Sequence, residues 1–125
     1  MIRETFNSTE GYLESTWSGH VDLQEIVAYI RRLKENTDYP RKLKILTNAL
    51  DARIYLSMDK LQIISGETKK TLKNYNSIMD AFFVQEAIVA ALSTMYMKMS
   101  QMKNYGFRIF SSKEAAEHWL SGISS

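Results

Sequence analysis

The chain has 125 residues, is 45% hydrophobic, and carries 16 Lys and Arg against 14 Asp and Glu, with one proline, five glycines and no cysteine. That composition suits one globular domain spanning residues 1–125 and burying about two thirds of its unfolded surface, and it excludes disordered, repetitive and disulfide-stapled architectures. A formal net charge of +2 supplies no electrostatic footprint for nucleic acid, no window approaches the roughly 18 apolar residues of a membrane span, and the N-terminal MIRETFNSTEG lacks the apolar core of a signal peptide, so a soluble, cytoplasmic protein is expected.

Arg3 to Phe6 and Tyr12 to Ser18 alternate roughly in polarity around the turn-rich Asn7-Ser8-Thr9-Glu10-Gly11, which predicts a β-hairpin with Leu13 and Trp17 on one face, Ser15 between them, and Gly19 at its end. Asp22 with Glu25 three residues later predicts a capped helix start, followed by the inward stripe Leu23, Ile26, Val27, Ile30 and Leu33. A loop containing Pro40 leads to a buried strand, Leu43 to Thr47. Asn48 to Leu56 is apolar without a clear period and is taken as a loop, an irregular crossing and a short extra strand both remaining open.

Ser57 predicts the N-cap of a second helix with Asp59 in its first turn, Leu61, Ile64, Thr68 and Leu72 facing inward, and Lys69, Lys70 and Lys73 at its basic end. The apolar run Met79 to Val84 predicts a strand. After Gln85 and Glu86 comes a long helix whose inward face is Ile88, Leu92, Met95, Met99 and Met102, closing at Asn104-Tyr105-Gly106 with Gly106 in the left-handed position. Phe107 to Phe110 predicts a last strand. Ser111 with Glu114 predicts the cap of a final helix carrying Ala115, Ala116, Trp119, Leu120 and Ile123 inward. This alternation implies an α/β fold: a mostly parallel sheet of about five strands, with an antiparallel strand from the opening hairpin and about four helices.

Chemistry is sparse. No Gly-rich phosphate loop, G-x-S-x-G or H-E-x-x-H motif occurs, and no catalytic, cofactor or metal residues are assigned. Ser57 has no activating base at a suitable spacing, so it reads as a cap. Asp80 would be a functional carboxylate if fully buried, but its strand is expected to begin after it and leave it half exposed. Glu114 and His118 one turn apart read as solvated, as do Arg41, Lys42, Lys44 and the lysines of the second helix. Val89, Tyr96 and Met97 lie off the Ile88 face, so a helix buried on one stripe would expose them as an apolar patch, the mark of a partner surface or a ligand groove.

The element order resembles the STAS and SpoIIAA-like group, small α/β domains related in fold to anti-sigma-factor antagonists and CRAL-TRIO lipid-binding domains. The likeness is carried by Gly19-His20-Val21-Asp22 at the turn into the first helix, by Leu43 to Leu46 as a core strand, and by Phe110 to Leu120 (FSSKEAAEHWL) as the closing strand and helix. It implies a non-catalytic interaction or regulatory module, or, through the lipid-carrier branch, an apolar groove. In the antagonists a serine in an Asp-Ser-x-Gly-type turn at the start of the second helix is phosphorylated. Ser57 of Tyr55-Leu56-Ser57-Met58-Asp59 falls near that position as a candidate regulatory residue, without the preceding aspartate or the following glycine. The expected function is therefore an interaction module self-associating as a homodimer or binding a protein partner through Val89, Tyr96 and Met97. The alternative is a carrier or sensor of a small apolar ligand or lipid held beneath the second and third helices.

Overall fold

The structure, a computed structural model, describes residues 1–124. Nine elements follow in order: β1 Ile2–Asn7, β2 Tyr12–His20, α1 Leu23–Glu35, β3 Lys42–Arg53, α2 Met58–Leu72, β4 Ser77–Phe83, α3 Ala87–Met99, β5 Tyr105–Phe110 and α4 Lys113–Ser121. The five strands form one sheet in sequence order, β1-β2-β3-β4-β5. β1 and β2 are antiparallel and the other three pairings parallel, as the alternation of strand and helix signals requires.

Because strand side chains alternate, the sheet feeds two separate cores. Leu13, Trp17, Ile45, Ile78 and Phe82 pack with α1, α2 and α3 on one face, whereas Tyr12, Leu46, Ala81 and Phe83 pack with Ala116 and Leu120 of α4 on the other. Gly11, at φ +80, closes the hairpin. Asp22 caps α1 by accepting from the Glu25 amide at 2.9 Å. The Glu25 carboxylate turns away from its own helix and accepts from the Ile2 amide at 2.7 Å, which ties α1 to the edge strand.

Several expectations need correction. β3 does not end at Thr47 but runs on to Arg53, because Ser18, Gly19 and His20 continue β2 and pair with Asp51, Ala52 and Arg53 after a register shift between Thr16 and Ser18. That irregularity breaks the two-residue period, which is why the second half of β3 reads as patternless. Gly19, at φ +66, lies within β2 rather than at its end.

α3 ends at Met99, and Gly106 does not close it. Gly106 sits inside β5, where a Cβ would meet the Met79 sulfur at 2.5 Å. α3 is also turned relative to the expected stripe: Val89, Ser93 and Tyr96 are buried and Ile88 is 50% exposed, while Leu92, Met95, Met99 and Met102 of the expected face pack against the core only partly buried. A serine can face inward there because its hydroxyl donates to the Val89 carbonyl at 2.7 Å, leaving little polarity to desolvate. Ser112, not Ser111, caps α4 by accepting from the Ala115 amide at 3.2 Å. Ala116 and Leu120 are its buried contacts; Ala115 is exposed and Trp119 only half-buried, its ring 5.8 Å from that of Phe110.

Candidate functional site

The three helices on one side do not fill the space above the sheet. Between Ile45, Phe82 and Phe107 on the strands and Leu61, Ile64, Val89 and Leu92 on the helices lies an apolar cavity offering about 90 Å³ to the centres of water-sized molecules. One water needs only ~10–15 Å³ of such space. Trp17 extends the aromatic wall, its ring edge-on to Phe82 at 5.6 Å, and Phe82 in turn lies 5.3 Å from Phe107.

Asp80 stands in this wall. It does not precede its strand, as the sequence suggested, but sits in the middle of β4, opposite Ile45 on β3 and Phe107 on β5. Two parallel neighbours hold it on the cavity side of the sheet, in alternation with Ile78 and Phe82. The Thr47 hydroxyl donates to one carboxyl oxygen at 2.7 Å; the other oxygen makes no hydrogen bond among the described residues. Desolvation pushes the carboxyl up to about 7 against the lowering influence of the Thr47 bond. No Lys, Arg or His lines the cavity to offset the charge, so burial prevails.

Two further polar features lie beside the same space. Thr68 donates to the Ile64 carbonyl at 3.0 Å, so it must accept from Tyr96 at 2.9 Å, and Tyr96 in turn accepts from Tyr105 at 2.9 Å. The hydroxyls thus form a one-directional chain from β5 through α3 to α2. Burial raises both phenols above their usual range. The second feature is the Tyr29 hydroxyl, which is buried and has no hydrogen-bond partner among the described residues. Such a group costs about 1–3 kcal/mol. Its phenol is pushed well up by burial and, secondarily, by the charge of Asp80. The nearby Ser15 hydroxyl pulls slightly the other way, but it lies outside hydrogen-bonding geometry with Tyr29 and already accepts from the Trp17 indole at 2.9 Å.

Of the residues singled out in the sequence, Val89 and Tyr96 line this cavity and are 1% and 7% exposed, so neither forms a surface patch. Met97 is half-buried and lies outside the lining. Ser57 is exposed at the start of α2, where it accepts from the Lys60 amide at 3.4 Å. Glu114 and His118 are both exposed on α4, and no group of three acidic or imidazole side chains able to hold a metal occurs among the described residues. Arg41 is not a solvated cation: its guanidinium donates to the carbonyls of Asn36, Tyr39 and Asn74 and lies 4.2 Å over the Tyr75 ring. Lys44 donates to the Ile123 carbonyl at 2.6 Å. Sequence reasoning missed Tyr29, Thr47 and Tyr105; the shared parity of Ile78, Asp80 and Phe82 is the signal that could have placed the carboxylate among them.

No protein-family model matches the chain, and no curated protein matches it. Among solved structures it is similar to the crystal structure of an uncharacterized protein of the DUF3478 family from Shewanella loihica PV-4, with a TM-score of 0.59 and 15% identity over 96% of this chain and 92% of that one. That protein is described as having a SpoIIAA-like fold. Superposing on it over nearly its full length, this chain, one mixed five-stranded sheet with four helices, has the SpoIIAA-like fold.

Proposed function

We propose that this protein is a non-catalytic, cytoplasmic module of STAS-like type that carries or senses a small apolar ligand in the cavity between the sheet and α1, α2 and α3. The observation that carries this reading is the cavity itself: left open by the side chains around it, walled by aliphatic and aromatic groups, and marked by a few polar ones, the pattern of small-molecule sites generally. Val89 and Tyr96 then serve as ligand contacts from within. No helix among the described residues is long and apolar enough to cross a membrane. Native mass spectrometry of the purified protein tests the reading: a small organic mass that leaves on denaturation supports it, and a bare chain that binds no small aromatic compound counts against it.

A second reading, self-association, is favoured by a different observation. Tyr55, Met58, Ile63 and Ile88 are 62%, 46%, 49% and 50% exposed, respectively, on or beside α2 and α3, more apolar side chain than these helices need to leave in water. A homodimer would use these residues with Met97. Light scattering of wild type and Ile88→Glu decides it, since dimer formation abolished by the substitution supports the interface and a monomeric wild type removes it.

A further inference from the structure

The fold leaves two hydrogen-bonding groups at the cavity without partners: the second carboxyl oxygen of Asp80, whose first oxygen is held by Thr47, and the sealed hydroxyl of Tyr29. Both side chains belong to the cavity wall. The rest of the cavity lining is aliphatic or aromatic apart from hydroxyls already committed to each other or to backbone, namely Thr68, Tyr96, Tyr105, Thr71 and Ser93; behind it, Thr47 is held by Asp80, and Ser15, near Tyr29 but outside hydrogen-bonding geometry with it, accepts from the Trp17 indole. A buried polar group needs a partner, and a molecule entering this space is the one partner the chain does not itself supply.

We propose that the cavity takes a small, flat, largely apolar molecule with a single carbonyl oxygen, which accepts hydrogen bonds from the Asp80 carboxyl and the Tyr29 hydroxyl together. The inference rests on reading the cavity as a ligand site. The flat body matches the aromatic wall of Trp17, Phe82 and Phe107, where rings pack edge-on or offset. A carbonyl head suits two donors sharing one acceptor. An ammonium head would satisfy Asp80 but offers no lone pair for the Tyr29 hydrogen.

Protonation sets the conditions. The titratable groups lining the cavity are Asp80 from β4, Tyr29 from α1, Tyr96 from α3 and Tyr105 from β5; α2 and β3 bring only uncharged side chains towards Asp80, among them Thr68, Thr71 and Thr47. The tyrosines stay neutral near physiological pH, all being raised. Asp80 alone changes state, near 7. Below that pH its proton is available to the ligand oxygen while Thr47 still donates to the other carboxyl oxygen; above it the donor is gone and a carboxylate faces the carbonyl lone pairs.

Acetophenone and ethylbenzene, matched in ring and length but differing in the oxygen, are the probes, titrated by amide NMR at pH about 5.5 and about 8.5. The expected result is acetophenone binding about tenfold tighter than ethylbenzene at the lower pH, the worth of a good buried hydrogen bond, with the preference lost at the higher pH. Tyr29→Phe should weaken the preference, and Asp80→Asn should keep it at both pH values because the amide donates regardless. Equal binding of the two probes at both pH values, a preference that grows with pH, or benzylamine binding better than acetophenone overturns the carbonyl assignment while leaving the cavity reading intact. If neither probe binds, both fail. Should Asp80→Asn not fold, the wild-type pH comparison and Tyr29→Phe decide alone.

Discussion

The Thr47 hydroxyl reaches across from β3 to donate a 2.7 Å hydrogen bond to Asp80 in β4, and it is the only side-chain bond that carboxyl makes among the described residues. One neutral donor does not replace the solvation a carboxylate loses inside an apolar wall. The carboxyl accordingly rises from 3.8 to about 7.

The shift fixes a pH dependence of stability. Between the unfolded value near 3.8 and the folded value near 7, the folded chain holds a proton that the unfolded chain has lost, so stability falls as pH rises through this window, by up to about 4 kcal/mol, and changes no further above it. Urea unfolding of wild type and Asp80→Asn across that range should show the difference between them moving in the variant's favour as pH rises. Thr47→Val, which removes the lowering bond, should push the Asp80 carboxyl higher still in a carbon-detected NMR titration. The Glu67 carboxyl, lowered chiefly by its bond to Arg31, works in the opposite direction below the usual carboxylate range, but it cancels in the comparison.

The direction of the hydroxyl chain predicts unequal effects of two phenylalanine substitutions. Tyr96→Phe strips Tyr105 of its acceptor and Thr68 of its donor, leaving a buried donor unpaired, and should cost about 1–3 kcal/mol. Tyr105→Phe removes the terminal donor and leaves only a spare lone pair on Tyr96, for about 0.5–1.5 kcal/mol. Denaturant unfolding at matched pH ranks the two; equal costs would contradict the orientation of the chain.

At the start of α2, Ser57→Ala should lose about 0.5 kcal/mol, near the low end for such caps, because the bond to the Lys60 amide is 3.4 Å long and exposed. A variant with unaltered stability but an altered phenotype in cells would speak for a regulatory role of Ser57.

Arg41→Lys should destabilise by about 1–3 kcal/mol in thermal or chemical unfolding although the charge is kept. The guanidinium fork reaches three loop carbonyls at once and covers the Tyr75 ring, and an ammonium on a flexible stem cannot do both. An unaffected variant would show that these contacts do not hold the loop in place.

What the sequence disclosed follows from how cleanly each element separates its faces. α2 was legible because Leu61, Ile64, Thr68 and Leu72 are spaced one turn apart beside a charged face, and all four are buried. α3 was not: the Ile88 stripe is the more apolar of the two, since Ser93 and Ser100 interrupt the Val89 stripe, yet the Val89 side is the buried one, with partners for Ser93 and Tyr96 that only the fold supplies. The register shift hid the second half of β3. Asp80 was misplaced because a lone carboxylate in an apolar run looks like a boundary, whereas here it is the feature that departs from the core pattern at a cavity.

The central claim is that the space beneath α1, α2 and α3 receives a small apolar molecule. Titrating ethylbenzene into isotope-labelled protein while following backbone amides tests it most directly. The account predicts saturable shifts centred on Val89, Leu92, Tyr96 and Phe107, which line the cavity. Shifts confined to the exposed Met58, Ile63 and Ile88, or no saturable shifts at all, would contradict it.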